Sequence, residues 1–156
     1  MTEASVARFF ASPRFAVAGA SNDPRKFGYK ILAWYVQHSL PVTPINPREQ
    51  SIRLLSRELP TASSPKALSE PAETSLSFVT PPPVTLALLK EAREVGIQAV
   101  WLQPGTFDDE VLSYANSNFA ASIGGDGGLG SEGWCVLVDG EDGLEAAGRE
   151  WKQQKL

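Results

Sequence analysis

Cysteine and histidine are nearly absent from this chain of 156 residues, which contains one of each, Cys135 and His38. A single cysteine cannot form an internal disulfide, and the pair cannot supply the ligands of a structural zinc site. We therefore expect no disulfide and no bound metal. Bulky apolar neighbours surround Cys135 in the segment WCVLV and favour an inert, buried thiol, and the sequence gives His38 no evident catalytic partner.

Long apolar runs and clusters of positive charge are also missing. No run approaches the roughly 18 apolar residues that span a bilayer, and the N-terminal MTEASVARFFASPR lacks a signal-peptide core. The formal net charge is −4 at pH 7, and lysine and arginine form no stripe, so that neither a membrane nor a nucleic acid is an expected partner. We expect a cytoplasmic protein.

Length and composition are ordinary for a globular protein. The chain has the size of one domain, and 42% hydrophobic with 21% charged residues suggests neither disorder nor a fibre. We therefore expect residues 1–156 to form a single domain.

Short apolar runs alternate with segments of helical periodicity. The predicted strands are residues 14–19 (RFAVAG), 42–45 (VTPI), 76–80 (LSFVT), 98–103 (QAVWLQ) and 134–138 (WCVLV). Helices are predicted at residues 28–39, between Pro81 and Gly96, and from Asp108 onward. This alternation predicts an α/β fold: a Rossmann-like, doubly wound parallel β-sheet in three α/β/α layers.

Other stretches give weaker structural signals. The second predicted helix has a buried stripe of Val84, Leu88, Ala92 and Val95, and the third places Val111, Leu112 and Ala115 inward. Residues 51–75 are rich in serine and proline and predict only short elements. The glycine cluster at 124–130 predicts a loop between the last helix and the last strand. Asp139, Glu141 and Asp142 then fall in a solvated loop, and His38 makes a favourable contact with a helix C-terminus.

The candidate binding site is the turn after the first predicted strand, GASNDPRKFG. Open parallel sheets bind ligands beyond the carboxyl ends of their strands, near the point where the strand order reverses. Gly19 permits a tight turn, Ser21 offers a hydroxyl, and the following helix directs free amides toward an anion. Arg25 and Lys26 add positive charge. The dinucleotide fingerprint GxGxxG is not met, because Ser21 occupies the second glycine position and Gly28 comes too late.

Two further segments bear on the choice of nucleotide. Asn46-Pro47-Arg48 ends the second predicted strand, where NAD enzymes usually carry an acid for the ribose hydroxyl, so NAD is disfavoured. Arg48 suits a ribose phosphate, a group that both NADP and CoA carry. The glycine cluster lacks the Gly-Lys-Ser/Thr ending of a P-loop and is more typical of a flexible lid.

Three segments, AVAGASNDPRKFGYKIL, PVTPINPR and SFVTPPPVTLALLKEAREVGIQAVWLQPG, together resemble the small stand-alone CoA-binding proteins. That family is similar to the CoA-binding domains of the succinyl-CoA synthetase alpha subunit and of ADP-forming acyl-CoA synthetases. The resemblance covers residues 15–105 and implies that the first loop holds CoA phosphates while later loops line the groove. The ligand contacts expected on this chain are Gly19, Ala20, Ser21, Asn22, Arg25, Lys26, Gly28, Asn46, Arg48, Val79, Thr80, Pro81, Gln103, Pro104 and Gly105.

The resemblance implies a protein that binds a small nucleotide ligand, CoA or acyl-CoA, without chemistry of its own. The ligase relatives use a phosphohistidine on a further domain, which this chain does not supply. An NADP-dependent oxidoreductase is an alternative, although no Tyr-x-x-x-Lys pair is present. A further alternative is an interaction module that has lost its ligand. We expect a monomer or a weak homodimer.

Overall fold

The computed structural model describes residues 2–156. The elements are α1 (Thr2–Phe10), β1 (Arg14–Ala18), α2 (Phe27–Gln37), β2 (Val42–Ile45), β3 (Ser51–Leu54), β4 (Arg57–Pro60), β5 (Thr74–Phe78), α3 (Pro82–Glu94), β6 (Ala99–Leu102), α4 (Asp109–Asn118), β7 (Ala121–Ile123) and α5 (Val136–Ala146). Helices and strands alternate except between β2 and β5. Two single-turn 3₁₀ helices, Pro65–Ala67 and Pro71–Glu73, precede β5.

Five of the strands form one sheet in the order β2-β1-β5-β6-β7, and all neighbours run parallel. From β1 the chain moves outward to β2, then returns to the other side of β1 to form β5. The strand order therefore reverses between β1 and β5, and a crevice opens there at the carboxyl ends of the strands. The predicted Rossmann-like α/β fold is confirmed.

Helices cover both faces of this sheet. Residues of α1, α2 and α5 form one core with inward residues of β1 and β6, in which Phe9, Phe15 and Trp101 are fully buried. Residues of α3 and α4 form the second core with Leu76 and Phe78 of β5. The central strand β1 feeds both cores, which explains why its sequence is a continuous apolar run and not an alternating one.

The predicted strand at 134–138 is wrong, because these residues lead into α5. The last strand is instead β7, whose three residues are too few to show a period. Positions 136, 139, 140, 143 and 144 of α5 are buried, which is the spacing of a helix. Two of these positions are glycines, which weaken a helical signal in the sequence. Their role is close packing: a Cβ at Gly140 would overlap the Trp34 ring of α2, and one at Gly143 would lie 2.6 Å from Phe10 of α1.

The N-terminal helix α1 was not predicted, and other boundaries shift by a few residues. The third predicted strand starts at Thr74 and ends at Phe78, two residues earlier at each end than expected. The buried stripe of α3 consists of Thr85, Leu89 and Ala92, whereas Val84 is 44% exposed. The Thr85 hydroxyl bonds to the Pro81 carbonyl, so a polar residue occupies a buried position that the apolar pattern assigned to its neighbour.

Residues 51–60 form an antiparallel hairpin of β3 and β4, in agreement with the prediction of short elements. Part of its turn is Leu55, which adopts a positive φ of 52°. A regular doubly wound fold has a helix between each pair of successive parallel strands, but the hairpin and two 3₁₀ turns connect β2 to β5. The hairpin also leaves the outer side of β2 bordered by a groove of about 1340 Å³.

His38 is the C-cap of α2 and stacks on Trp34 with 4.0 Å between ring centroids. Its Nδ1 lies 2.7 Å from the Trp34 carbonyl and its Nε2 lies 2.8 Å from the Glu141 carboxylate. The predicted solvated loop at Asp139, Glu141 and Asp142 is wrong, because these residues belong to α5 and Asp139 is buried. The contact with Glu141 therefore joins the end of α2 to the middle of α5.

Within residues 2–156, no helix is both long enough and apolar enough to cross a membrane.

Candidate functional site

The turn after β1 is built around two glycines that allow backbone segments to touch. Gly19 adopts φ +88°, and a Cβ there would lie 2.8 Å from the Val79 carbonyl oxygen in the loop after β5. A Cβ at Gly28 would overlap the carbonyl oxygen of Gly19. The start of α2 therefore packs directly on the end of β1. Because the first amides of a helix have no intrahelical acceptor, this packing presents free N–H groups at the crevice.

Two asparagines hold the turn from its outer side. The Asn46 side chain donates to the Ala20 carbonyl (2.9 Å) and accepts from the Arg48 amide (2.7 Å). Asn22 donates to the Ser51 carbonyl (3.1 Å) and accepts from the amide of Arg53 (2.8 Å). These side chains fix the loop against β2 and the β3–β4 hairpin, so their polar atoms are already committed within the protein.

The charges of the turn are partly cancelled. Arg25 bonds to both carboxylate oxygens of Asp23 at 3.0 Å, while its own side chain is 89% exposed. The hydrogen bonds from Arg25 lower the pKa of Asp23 to about 2, and the carboxylate in turn raises the pKa of Arg25. Asp23 is therefore ionised at neutral pH and offsets the Arg25 charge. Lys26 is the exposed N-cap of α2, and within residues 2–156 it forms no ion pair.

Ser21 keeps a donor available. Its Oγ accepts the amide of Asp23 at 3.0 Å, which shapes the turn and leaves the hydroxyl proton free for another acceptor. The turn thus combines one hydroxyl, one free lysine and the amides of a helix N-terminus. This set of donors is suited to an anion such as a phosphate.

The loops after β5 and β6 flank this turn. Thr80 bonds to the Thr85 hydroxyl at 2.7 Å and is 8% exposed. Gln103 is 3% exposed and bridges to α5, since its amide donates to Cys135 Sγ (3.2 Å) and its oxygen accepts from Val136 N (2.8 Å). Pro81 and Gly105 remain exposed beside them. Thr80 and Gln103 therefore shape the edge of the sheet through bonds within the protein.

The fifteen predicted contact residues all lie in the loops that follow β1, β2, β5 and β6, or at the first turn of α2. Since those four strands are parallel neighbours, the topology brings the whole set to one edge of the sheet. Only Asn46 and Arg48 also line the groove beside β2. That groove therefore does not define the candidate site.

Residues 124–135 complete the same edge, although none of them was predicted as a contact. Buried Asp139 accepts hydrogen bonds from Leu129 N (2.8 Å) and Cys135 N (3.0 Å). A Cβ at Gly128 would lie 2.5 Å from that carboxylate. The predicted loop is present, but it lies between β7 and α5 and not between a helix and the last strand, and the buried Asp139 side chain anchors its centre. Asp139, the acid that directly follows the apolar run WCVLV, is the signal in the sequence that could have pointed to it.

Cys135 is the N-cap of α5 and is partly exposed, which corrects the expectation of a fully buried thiol. Cys135 is partly exposed because it precedes helix α5 at this edge of the sheet and does not lie inside a buried strand. The N-termini of α2 and α5 therefore both open toward the carboxyl ends of the strands. Trp101 and Trp134 pack behind them, with ring centroids 6.2 Å apart.

Comparison with known proteins gives a family match and several structural neighbours. Residues 13–133 match the family model described as a CoA binding domain. No curated protein matches the chain. The matched range includes the turn after β1 and all fifteen predicted contact residues.

The structural neighbours share the architecture. A conserved hypothetical protein from Pyrococcus furiosus is similar with 29% identity and a TM-score of 0.67, over 81% of this chain and 97% of that one. A hypothetical protein from Pyrococcus horikoshii shows 19% identity and a TM-score of 0.67, over 79% and 84% of the chains. A Thermus thermophilus protein shows 23% identity and a TM-score of 0.66, over 79% and 90%. The last two neighbours support the fold alone.

Proposed function

Because the chain belongs to the CoA-binding domain family, we propose that it binds CoA or acyl-CoA through the turn after β1, without catalysing a reaction of its own. In this proposal the phosphates meet the amides at the start of α2, the Ser21 hydroxyl and Lys26. The observation that carries it is the contact between Gly28 and the Gly19 carbonyl, which sets the helix N-terminus at the crevice where the strand order reverses.

The end of β2 favours CoA over NAD. Asn46 stands where NAD enzymes carry an acid, and both polar groups of its side chain are bonded within the protein. No carboxylate at this position accepts the ribose hydroxyls of NAD. The exposed Arg48 two residues later suits the ribose phosphate of CoA. NADP carries a comparable phosphate and is the alternative that the test includes.

The placement of His38, Tyr35 and Asp139 supports binding without catalysis. His38 lies at the C-terminal end of α2, and the candidate turn lies at the other end. Tyr35 is buried against Ser77, and this burial raises the pKa of its hydroxyl far from neutrality. Asp139 is used to hold two backbone amides. None of these groups is placed to exchange a proton with a ligand at the turn.

CoA should raise the melting temperature of the protein more than NAD, NADP or ATP at equal concentration. A ligand that binds only the folded state stabilises it by about 2.7 kcal/mol at one hundred times its Kd. Differential scanning fluorimetry with the four ligands measures the ranking. An equal or larger shift with NAD or NADP would assign the site to a dinucleotide, and no shift with any nucleotide would favour the interaction module.

Lys26→Ala should weaken CoA binding about tenfold, because a hydrogen bond to a charged group contributes about 1.5–3 kcal/mol. Asp23→Asn should have the opposite effect and strengthen binding a few-fold, since it removes the charge that offsets Arg25 near the phosphates. Isothermal titration calorimetry with CoA measures both changes. Lys90→Ala, an exposed lysine on α3, is the matched control. Indistinguishable affinities for the Lys26 and Lys90 variants would place the phosphates elsewhere.

A further inference from the structure

The carboxyl edge of the sheet carries most of the exposed apolar side chains. Among residues 2–156, five of the six large hydrophobic side chains that are exposed lie at this edge. They are Phe27, Val84, Leu129, Leu137 and Val138. The sixth, Leu55, belongs to the turn of the β3–β4 hairpin. Such a concentration on one edge marks a binding surface more often than single scattered residues do.

Three of the five lie in the first turn of α5 and in the loop that precedes it, and we call them the apolar rim: Leu129, Leu137 and Val138. Leu137 and Val138 belong to the first turn of α5, and Gly130 lies against Val138, with a Cβ there 3.5 Å from a Val138 methyl. Leu129 precedes that glycine and is 74% exposed. The rim therefore joins the glycine-rich loop to the start of α5.

The exposure of Leu129 is imposed by the backbone around it. Its amide is bonded to the buried Asp139 carboxylate, and the neighbouring Gly128 has φ +75° with no room for a Cβ. The loop therefore holds the leucine outward in a fixed position and does not let it turn into the core. Holding a large apolar side chain in water is unfavourable, and the cost is recovered when an apolar group covers it.

The distance from the phosphate turn to the rim matches the layout of an acyl-CoA. Phosphates at the end of β1 lie two strand spacings from the end of β6, which is about 10 Å along the edge, and the start of α5 is bonded to Gln103 just beyond that end. The pantetheine arm of CoA is a long flexible chain that ends in the thiol, and an acyl group attached there extends further from the phosphates. An arm that follows the ends of β5 and β6 therefore delivers the acyl group to the rim.

From this arrangement we propose that the ligand is an acyl-CoA with an apolar acyl chain, and that the apolar rim is the subsite for that chain. This inference rests on the proposed function, because it requires phosphates at the turn after β1. It adds the class of acyl group: an unbranched or branched hydrocarbon chain is favoured over an acyl group that ends in a carboxylate, since the rim offers no positive side chain to pair with it.

The test compares the affinities of CoA, acetyl-CoA, butyryl-CoA, octanoyl-CoA and succinyl-CoA by isothermal titration calorimetry. Each methylene buried on the rim should increase affinity about threefold, so that octanoyl-CoA binds at least tenfold more tightly than acetyl-CoA. Succinyl-CoA should bind no better than acetyl-CoA. Leu129→Ser and Val138→Ser should each reduce the octanoyl preference severalfold and leave the affinity for CoA unchanged. The matched control is Leu55→Ser, which alters an equally exposed leucine in the hairpin turn.

Each failure has its own signature. If CoA binds but affinity is independent of chain length, the acyl subsite is refuted while the proposed function stands. If no CoA derivative binds, the proposed function itself is refuted. Sedimentation velocity of the unliganded variants supplies a further arm: a dimer that Leu129→Ser dissociates and Leu55→Ser does not would assign the rim to a second copy of the chain and overturn the acyl assignment.

Discussion

Gly28→Ala should destabilise the protein and reduce CoA affinity at least tenfold. The added methyl group would overlap the Gly19 carbonyl oxygen, and both partners are backbone that cannot rotate away. Overpacking of this kind costs about 1–3 kcal/mol, which exceeds the gain of about 1 kcal/mol that alanine provides over glycine within a helix. The melting temperature should fall by several degrees. Binding should suffer as well, because relief of the clash moves the free amides of α2 away from the turn.

Gly130→Ala is the matched control for this substitution. A Cβ at Gly130 meets a Val138 methyl group at an ordinary contact distance of 3.5 Å. Thermal melts and CoA titrations of the two variants separate a packing effect at Gly28 from a general sensitivity to loss of glycine. If Gly28→Ala melts and binds CoA like the wild type, the contact between α2 and the end of β1 is not what forms the site.

The sequence predicted the parts of the fold in which the hydrophobic pattern is regular. Residues 14–18 form a strand buried on both faces, and residues 27–37 form a helix whose boundaries agree with the prediction to within two residues. The pattern failed at α5, where Gly140 and Gly143 allow two helices to approach closely and at the same time lower helical propensity. The short strand β7 was missed for a different reason, since three residues are too few to show an alternation of apolar and polar side chains.

The site shows a similar division between what local sequence contains and what tertiary contacts add. The turn after β1 was predicted from its position after a buried strand, and the structure places its residues at the switch point of the sheet. The bonds that occupy Asn22 and Gln103 join segments far apart in the chain. Sequence alone assigns such polar side chains to a ligand, because it does not show the hydrogen-bond partners that they have in distant segments of the protein.

The role of Asp139 illustrates the same limit. The sequence predicts a solvated loop at this position, because the preceding run WCVLV has the pattern of a strand and acidic residues follow it. As part of the first turns of α5 it points its carboxylate at the amides of Leu129 and Cys135. A carboxylate at a helix N-terminus is favoured by the helix dipole, and burial strengthens its hydrogen bonds to the backbone.

Asp139→Ala should therefore lower the free energy of unfolding by about 3 kcal/mol or more, since two hydrogen bonds to a charged group are lost and two amides lose their acceptor. For a chain of this size the melting temperature should drop by roughly 6–12 °C. Asp139→Asn should have about half the effect. Its single oxygen can accept one amide, while its NH₂ group faces the other amide as a second donor. Urea or thermal unfolding of both variants measures the difference.

Asp142→Ala controls for the general loss of an acid from α5, because Asp142 lies on the same helix and is exposed. It should leave stability nearly unchanged.

Asp139→Ala should also change the ligand preference. Without the Asp139 anchor, Leu129 no longer holds its outward position, so the preference for octanoyl-CoA over acetyl-CoA should decline while CoA itself still binds at the turn after β1. Asp139→Ala with wild-type stability would mean that the glycine-rich loop holds its shape without the carboxylate. A folded variant that binds octanoyl-CoA and acetyl-CoA in the wild-type ratio would instead separate the loop from the acyl chain.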